Sequence, residues 1–321
     1  MTHSAHAPAR PSTRSRRVAT GLAIVGLFLP LVWADAVGAA GAGPAVWLLP
    51  VALVLAAGAA AELGAILGAC GPAPRRSLLV AGCVAAPAAA ALGSGAFRVP
   101  GAAGQPLESV GWAAAATVAA LVLAAGVEIA GYRPGDGSLG RLTGTALGLS
   151  AVGLPLGFLV GLRLLGTMGS DGVRNVPGIV PLVALVAAAK TGDVFAYLVG
   201  SQWGRHRMAP VVSPGKTWEG AAGSILGAVV ASWIVLVPLR GTLDGAAAGA
   251  AGPLGGWLLH GVAVGAAGIL GDLAESLVKR EAGVKDSGTT LGALGGALDL
   301  VDSLLFAAPT AWLLWMVPYR S

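Results

Sequence analysis

Between residues 271 and 303 an apolar chain carries Asp272, Glu275, Lys279, Arg280, Lys285, Asp286, Asp299 and Asp302. The chain as a whole is only 11% charged, so this density is unusual. Charge in or beside a bilayer is costly and marks function. Carboxylates at helix ends, with lysines and glycines between them, suit a divalent cation held against a phosphate-bearing ligand. Mg2+ takes oxygen ligands, keeps several waters and is commonly held by one or two carboxylates plus substrate phosphates. Asp272 and Asp299, from neighbouring helices, are the expected pair, with Asp302 and Asp286 assisting. Lys279, Arg280 and Lys285 are expected to meet phosphate charge. No His/Cys spacing appropriate to zinc is present.

A second group lies around Gly215-Lys216-Thr217, which is similar to the end of a phosphate-binding loop. That loop needs a further glycine where this chain has Pro210, and a strand before it, which is not expected here. Lys216 has a plainer alternative as a positive residue snorkelling at the membrane edge. There is no spaced-glycine dinucleotide fingerprint, and only His206 of the four histidines falls in these loops, so a Ser-His-Asp hydrolase is unsupported.

The elements that must position these residues are membrane spans. Of 321 residues, 55% are hydrophobic, and the mean hydropathy is +0.79. That excludes an ordinary soluble domain and points to an all-α, polytopic membrane protein, because backbone groups in lipid must be satisfied within each segment. The short alternating strands of a β-barrel do not appear. Nine spans are expected, near 18–36, 45–69, 77–94, 110–130, 143–162, 177–198, 218–238, 255–276 and 298–318. Their richness in Gly and Ala lets helices approach closely in lipid. Residues 1–17 read as a disordered basic tail, 18–180 as N-terminal spans and 181–321 as the catalytic region. Residues 18–32 resemble a signal-peptide core, but the many spans that follow favour a retained first helix. Cys70 and Cys83 form neither a disulfide framework nor a metal site. The net charge of +5 sits in loops between spans, which argues against nucleic acid as a partner.

Loop charge sets the orientation. Fourteen Lys and Arg fall on one side: Arg10, Arg14, Arg16, Arg17, Arg75, Arg76, Arg133, Arg141, Arg205, Arg207, Lys216, Lys279, Arg280 and Lys285. Five fall on the other: Arg98, Arg163, Arg174, Arg240 and Arg320. The N-terminus is therefore expected in the cytoplasm and Ser321 outside. With that orientation Asp193, Asp272, Glu275, Asp299 and Asp302 all converge at one depth, just under the cytoplasmic face. Asp299 and Asp302 share a helix face, at an N-terminus that favours carboxylates.

These residues carry a resemblance. The order Gly271-Asp272-Leu273-x-Glu275-Ser276-x-x-Lys279-Arg280, then Lys285-Asp286, then Gly295-Gly296-x-x-Asp299-x-x-Asp302-Ser303 resembles the signature of phosphatidate cytidylyltransferases. A second block agrees: Asp193 to Tyr197, Gly204-Arg205-His206, and Ser213-Pro214-Gly215-Lys216-Thr217-Trp218-Glu219-Gly220. The resemblance is specific over about 190–303. It implies CTP and phosphatidic acid as substrates, CDP-diacylglycerol and pyrophosphate as products, and Mg2+ as cofactor with a monovalent cation as a second metal. It further implies a homodimer in the cell or inner membrane whose site faces the cytoplasm. Carried over residue by residue, Lys279, Lys285, Asp286 and Asp302 would be catalytic, and Asp272 and Asp299 would bind metal. Asp193, Ser213, Lys216, Thr217, Glu219, Ser276 and Arg280 would bind substrate.

The chain departs from the family pattern at three places. Leu294 stands where relatives keep His, Leu300 where they keep Arg, and Gly215 for the first Lys of a Ser-Pro-Lys-Lys block. Losing an imidazole and a guanidinium weakens a polyanion site. The competing readings are a CTP-dependent lipid kinase, a synthase of another CDP-lipid, and a non-catalytic relative or transporter. Transporters place broken helices at the bilayer midplane, often in two matching halves. Here the charges gather toward one face, and no internal repeat is seen.

Overall fold

A computed structural model describes residues 28–37, 45–93, 109–165, 178–238, 252–284, 287–288 and 295–319. Helix α1 covers 28–36. It is followed by α2 (Leu49–Cys70), α3 (Arg76–Gly93), α4 (Ser109–Ala130), α5 (Ser138–Gly148), α6 (Leu154–Leu164) and α7 (Ile179–Trp203). Strands β1 (Arg207–Ala209) and β2 (Ser213–Thr217) lead into α8 (Trp218–Leu236), and then come α9 (Gly256–Glu281) and α10 (Ala297–Tyr319). Among the described residues eight helical stretches are long and apolar enough to cross a membrane, α5 and α6 together making one. The fold is that of an all-α polytopic membrane protein. Most of the expected first span, 18–36, lies outside the described residues.

The structure departs from the sequence expectations in specific ways. The span expected at 143–162 starts at Ser138 and changes pitch at a π-helical turn, Leu149–Gly153. Pro155, just beyond, has no N–H for an α-helical bond, and a π turn accommodates that break. Helix α9 runs to Glu281, so Lys279 and Arg280 lie on its last turn, not in a loop. The segment around Lys216, expected as loop, is an antiparallel hairpin in which Arg207 pairs with Thr217 and Ala209 with Ser213. A short strand therefore does precede Gly215-Lys216-Thr217. The missing glycine at Pro210 and the strand conformation of these three residues still separate them from a phosphate-binding loop.

Two cores hold the bundle. One joins α2, α3, the π turn and α10 through Ala59, Leu63, Leu79, Leu149, Leu298 and Val301. The other joins α6 to α10 through Leu162, Leu185, Ala228, Val264, Ala307 and Trp315. Helix α10 belongs to both, so the helix that carries Asp299 and Asp302 links the two halves of the chain. Outward residues of α4, including Val118, Val122 and Ile129, are exposed, as helix surfaces facing lipid are. At the end of the bundle away from the acids, Asp35 is buried. Its carboxylate accepts from the Ala45 and Trp47 amides at 3.2 and 3.1 Å and pairs with Arg163 of α6.

Candidate active site

Helices α9 and α10 meet where α9 has no side chain. A Cβ at Gly271 would lie 2.4 Å from the Asp302 carbonyl oxygen, so only glycine permits this approach. The next residue, Asp272, and Glu275 one turn on, face Asp302. One oxygen from each of these three carboxylates lies within 4.8 Å of the others. Lys279, a further turn along α9, has its ammonium 2.8 Å from Glu275 Oε1 and 2.5 Å from Asp299 Oδ1. Asp299 Oδ2 also accepts from the Gly296 amide at 3.2 Å, inside the first turn of α10.

The other charged residues come from α7 and the hairpin. Lys190 of α7 donates to Ser303 Oγ at 3.0 Å and to Asp193 Oδ2 at 3.2 Å. Ser303 in turn donates to Asp193 Oδ2 at 3.2 Å. Lys216 of β2 has its ammonium 2.7 Å from Asp272 Oδ2, an ion pair by proximity rather than an aligned hydrogen bond. The hairpin is held in place from both sides. Glu219 accepts from the Arg205 and His206 amides at 3.1 and 3.2 Å and pairs with His206 Nδ1 at 2.6 Å. Arg280, at the end of α9, donates to the Val212 carbonyl at 3.1 Å. Thr217 is buried as the N-cap of α8, its oxygen accepting from Gly220 N at 3.1 Å.

Most residues singled out in the sequence therefore meet. Asp193, Lys216, Asp272, Lys279, Asp299 and Asp302 form one connected group, and Ser276 is half-buried on the same helix. Thr217, Glu219 and Arg280 instead brace the hairpin that carries Lys216, with Ser213 at the start of its second strand. Lys285, Asp286 and Leu294 lie outside the described residues. Asp193 lies deeper than the helix end expected for it, ten residues before the end of α7, about 15 Å at the helical rise, while Asp299 sits in the first turn of α10 as expected.

The structure gives a place in the candidate site to residues for which the sequence had indicated no individual role. Glu275 and Lys190 are two, each detectable as a charge within an apolar span and three residues from a site acid. The third is Glu62, buried in the middle of α2, whose Oε2 accepts from the Leu298 amide at 2.9 Å.

Carboxylates this close repel unless neutralised, the more so away from water. Lysines answer part of that charge. The all-oxygen donor set of Asp272, Glu275 and Asp302 fits a hard divalent cation such as Mg2+. Asp299, expected as a metal ligand, is here engaged by Lys279 and the Gly296 amide.

The model of the cytidylyltransferase family matches residues 15–317. A phosphatidate cytidylyltransferase from Haemophilus influenzae is 42% identical over 125 residues, 39% of this chain and 41% of its own length. A phosphatidate cytidylyltransferase from Mycobacterium bovis is 37% identical over 134 residues, 41% of this chain and 39% of its own length. The uncharacterized protein YnbB from Escherichia coli is 40% identical over 139 residues, 42% of each chain. The chain thus spans about two fifths of the length of the curated relatives it matches.

Proposed function

The chain belongs to the cytidylyltransferase family, and we propose that it transfers the cytidylyl group of CTP to phosphatidic acid, giving CDP-diacylglycerol and pyrophosphate. The observation that carries this reading is the junction of Lys216 and Lys279 with Asp272, Glu275, Asp299 and Asp302 at the meeting of α9, α10 and the hairpin.

In this reaction a phosphate oxygen of phosphatidate bonds to the α-phosphorus of CTP, and the bond from that phosphorus to the β-phosphate's bridging oxygen breaks. The attacking oxygen is already anionic, so no side chain has to remove a proton from it. What the protein supplies is alignment and charge neutralisation. Lys216 and Lys279, each paired with carboxylates in the resting site, exchange those partners for substrate phosphates. Lys285 and Asp286 are assigned the same charge-handling role from the motif, and Asp193, Ser213 and Ser276 are assigned to substrate contact. Thr217, Glu219 and Arg280 act by holding the hairpin. Asp272, Glu275 and Asp302 would hold Mg2+, and Asp299, now paired with Lys279, would be a further carboxylate ligand. When bound, the metal polarises phosphate oxygens and spreads the charge of the leaving pyrophosphate. One substrate is a lipid anion and the other a soluble polyanion, so the site is assigned to the cytoplasmic half of the cell membrane.

The test is incubation of purified protein with labelled CTP, phosphatidate and Mg2+, followed by lipid and nucleotide analysis. Equal yields of CDP-diacylglycerol and pyrophosphate, abolished by chelation, are expected. Release of CDP with a newly phosphorylated lipid would identify a kinase instead. Folded protein whose unfolding temperature is unmoved by millimolar CTP and Mg2+ would identify a non-catalytic relative.

A further inference from the structure

We infer that Glu62 is a positioning residue for this site, holding the acid-bearing first turn of α10 in register from the other half of the chain. The inference rests on reading the α9–α10 cluster as the active site. Glu62 sits in the middle of an apolar helix and is 5% exposed. Its Oε2 accepts from the Leu298 amide at 2.9 Å, across 236 residues of sequence. The Ser287 hydroxyl lies 3.5 Å from the same oxygen and also bonds the carboxylate of Asp299. Asp299 is the residue after Leu298, so one carboxylate on α2 fixes both the backbone before Asp299 and a partner of its side chain.

The backbone is moulded around this carboxylate. A Cβ at Gly296 would lie 2.5 Å from Glu62 Oε2 and 2.1 Å from Ser287 Oγ, and one at Gly288 would lie 2.8 Å from Glu62 Oε1. One turn back on α2, a Cβ at Gly58 would lie 2.7 Å from that of Ala297. Three glycines thus admit the contact.

The first amides of a helix have no partner within it, and a buried one needs an acceptor. The acceptor ordinarily comes from the residue just before the helix. Taking it from α2 refers the rotation of the first turn of α10, and with it Asp299 and Asp302, to a rigid neighbour rather than to the preceding segment. A carboxylate also suits the positive end of the helix. Placement within about half an ångström decides whether carboxylates can share a cation.

Glu62→Gln, Glu62→Asp and Ser287→Ala in the full chain test this. Mn2+ binding is read by electron paramagnetic resonance, together with thermal unfolding in detergent, kcat, KM for phosphatidate and Mg2+ activation. Glu62→Gln keeps an acceptor oxygen at full reach and should hold Mn2+ affinity and kcat near the wild-type values. Glu62→Asp keeps the charge but falls short by one methylene. It should lose about tenfold or more in Mn2+ affinity and kcat while KM for phosphatidate stays unchanged. Ser287→Ala, a milder change, should lose severalfold in both. Wild-type Mn2+ affinity in the Asp and Ala variants would overturn the inference. So would a Gln variant as impaired as the Asp variant, since charge and not placement would then be at work. Should Glu62→Asp fail to fold, Ser287→Ala decides alone. Wild-type protein that binds Mn2+ but makes no CDP-lipid would sink the functional reading and leave this inference to the Mn2+ measurements. Wild-type protein that binds no Mn2+ would sink the inference itself.

Discussion

Lys279 and Asp299 face one another from α9 and α10 at 2.5 Å, and the same ammonium holds Glu275 on its own helix at 2.8 Å. Lys279 is therefore the clamp between the two acid-bearing helices, and the proposed reaction requires its ammonium to meet CTP phosphate.

Lys279→Ala should lower kcat/KM for CTP roughly ten- to hundredfold, the loss of a charged hydrogen bond of about 1.5–3 kcal/mol. Lys279→Arg keeps the charge but not the compact geometry, and should recover only part of that loss. Steady-state kinetics at saturating phosphatidate measures both. Unchanged kcat/KM in Lys279→Ala would remove this residue from the nucleotide site.

The close approach at Gly271 predicts a different kind of failure. Gly271→Ala puts a methyl group 2.4 Å from the Asp302 carbonyl oxygen, and backbone cannot yield as a flexible side chain can. The helices must separate, at about 1–3 kcal/mol for overpacking. Mn2+ affinity should fall more than the unfolding temperature does, because the three carboxylates are drawn from both helices. Full Mn2+ affinity in a folded Gly271→Ala variant would count against Asp272, Glu275 and Asp302 as a shared cation site.

Much of this arrangement was legible in the sequence. The long apolar stretches marked the spans, and the spacing of Asp272, Asp299 and Asp302 around turn residues marked where the carboxylates gather. Where legibility ended, the reason is physical. Helix α9 outlasts its hydrophobicity, so a reading by apolar length stopped at 276, while the last turn continued with Lys279 and Arg280. The hairpin has low intrinsic strand preference at Ser213-Pro214-Gly215. It is held by Glu219, by Arg280 and by Arg207, which donates to the Pro214 carbonyl at 2.5 Å, none of which leaves a strand-like pattern. Glu62 was visible as an acid in an apolar helix, but it accepts from the backbone amide of Leu298, a contact which no side-chain pattern announces.

At the far end of the bundle the buried pair of Asp35 and Arg163 predicts an effect on stability without one on chemistry. Arg163→Ala leaves a carboxylate that is 2% exposed without its cation, at about 3–5 kcal/mol. The unfolding temperature in detergent should drop sharply, while kcat of the remaining folded protein stays near wild type. The double replacement Asp35→Asn with Arg163→Met should recover most of the loss, since no unpaired charge remains. A single variant as stable as wild type would mean that the pair contributes nothing measurable.

The chain's own cysteines test the orientation. Consecutive spans alternate in direction, so the ends at Cys70, Arg76, Ala130, Ser138, Trp203 and Trp218 share one side of the bundle. The acids of α9 and α10 belong to that half, since Glu62 on α2, eight residues before Cys70, touches Leu298. Cys70 is exposed and Cys83 is buried, so a membrane-impermeant maleimide reads one position without any substitution. The proposed orientation sets that side in the cytoplasm, on the fourteen-to-five division of Lys and Arg between the two sides. Intact cells should leave Cys70 unlabelled, and inverted membrane vesicles should label it rapidly, with Cys70→Ser abolishing the signal. The reverse pattern would turn the carboxylate cluster away from cytoplasmic CTP, and the proposed reaction could not run in the cell.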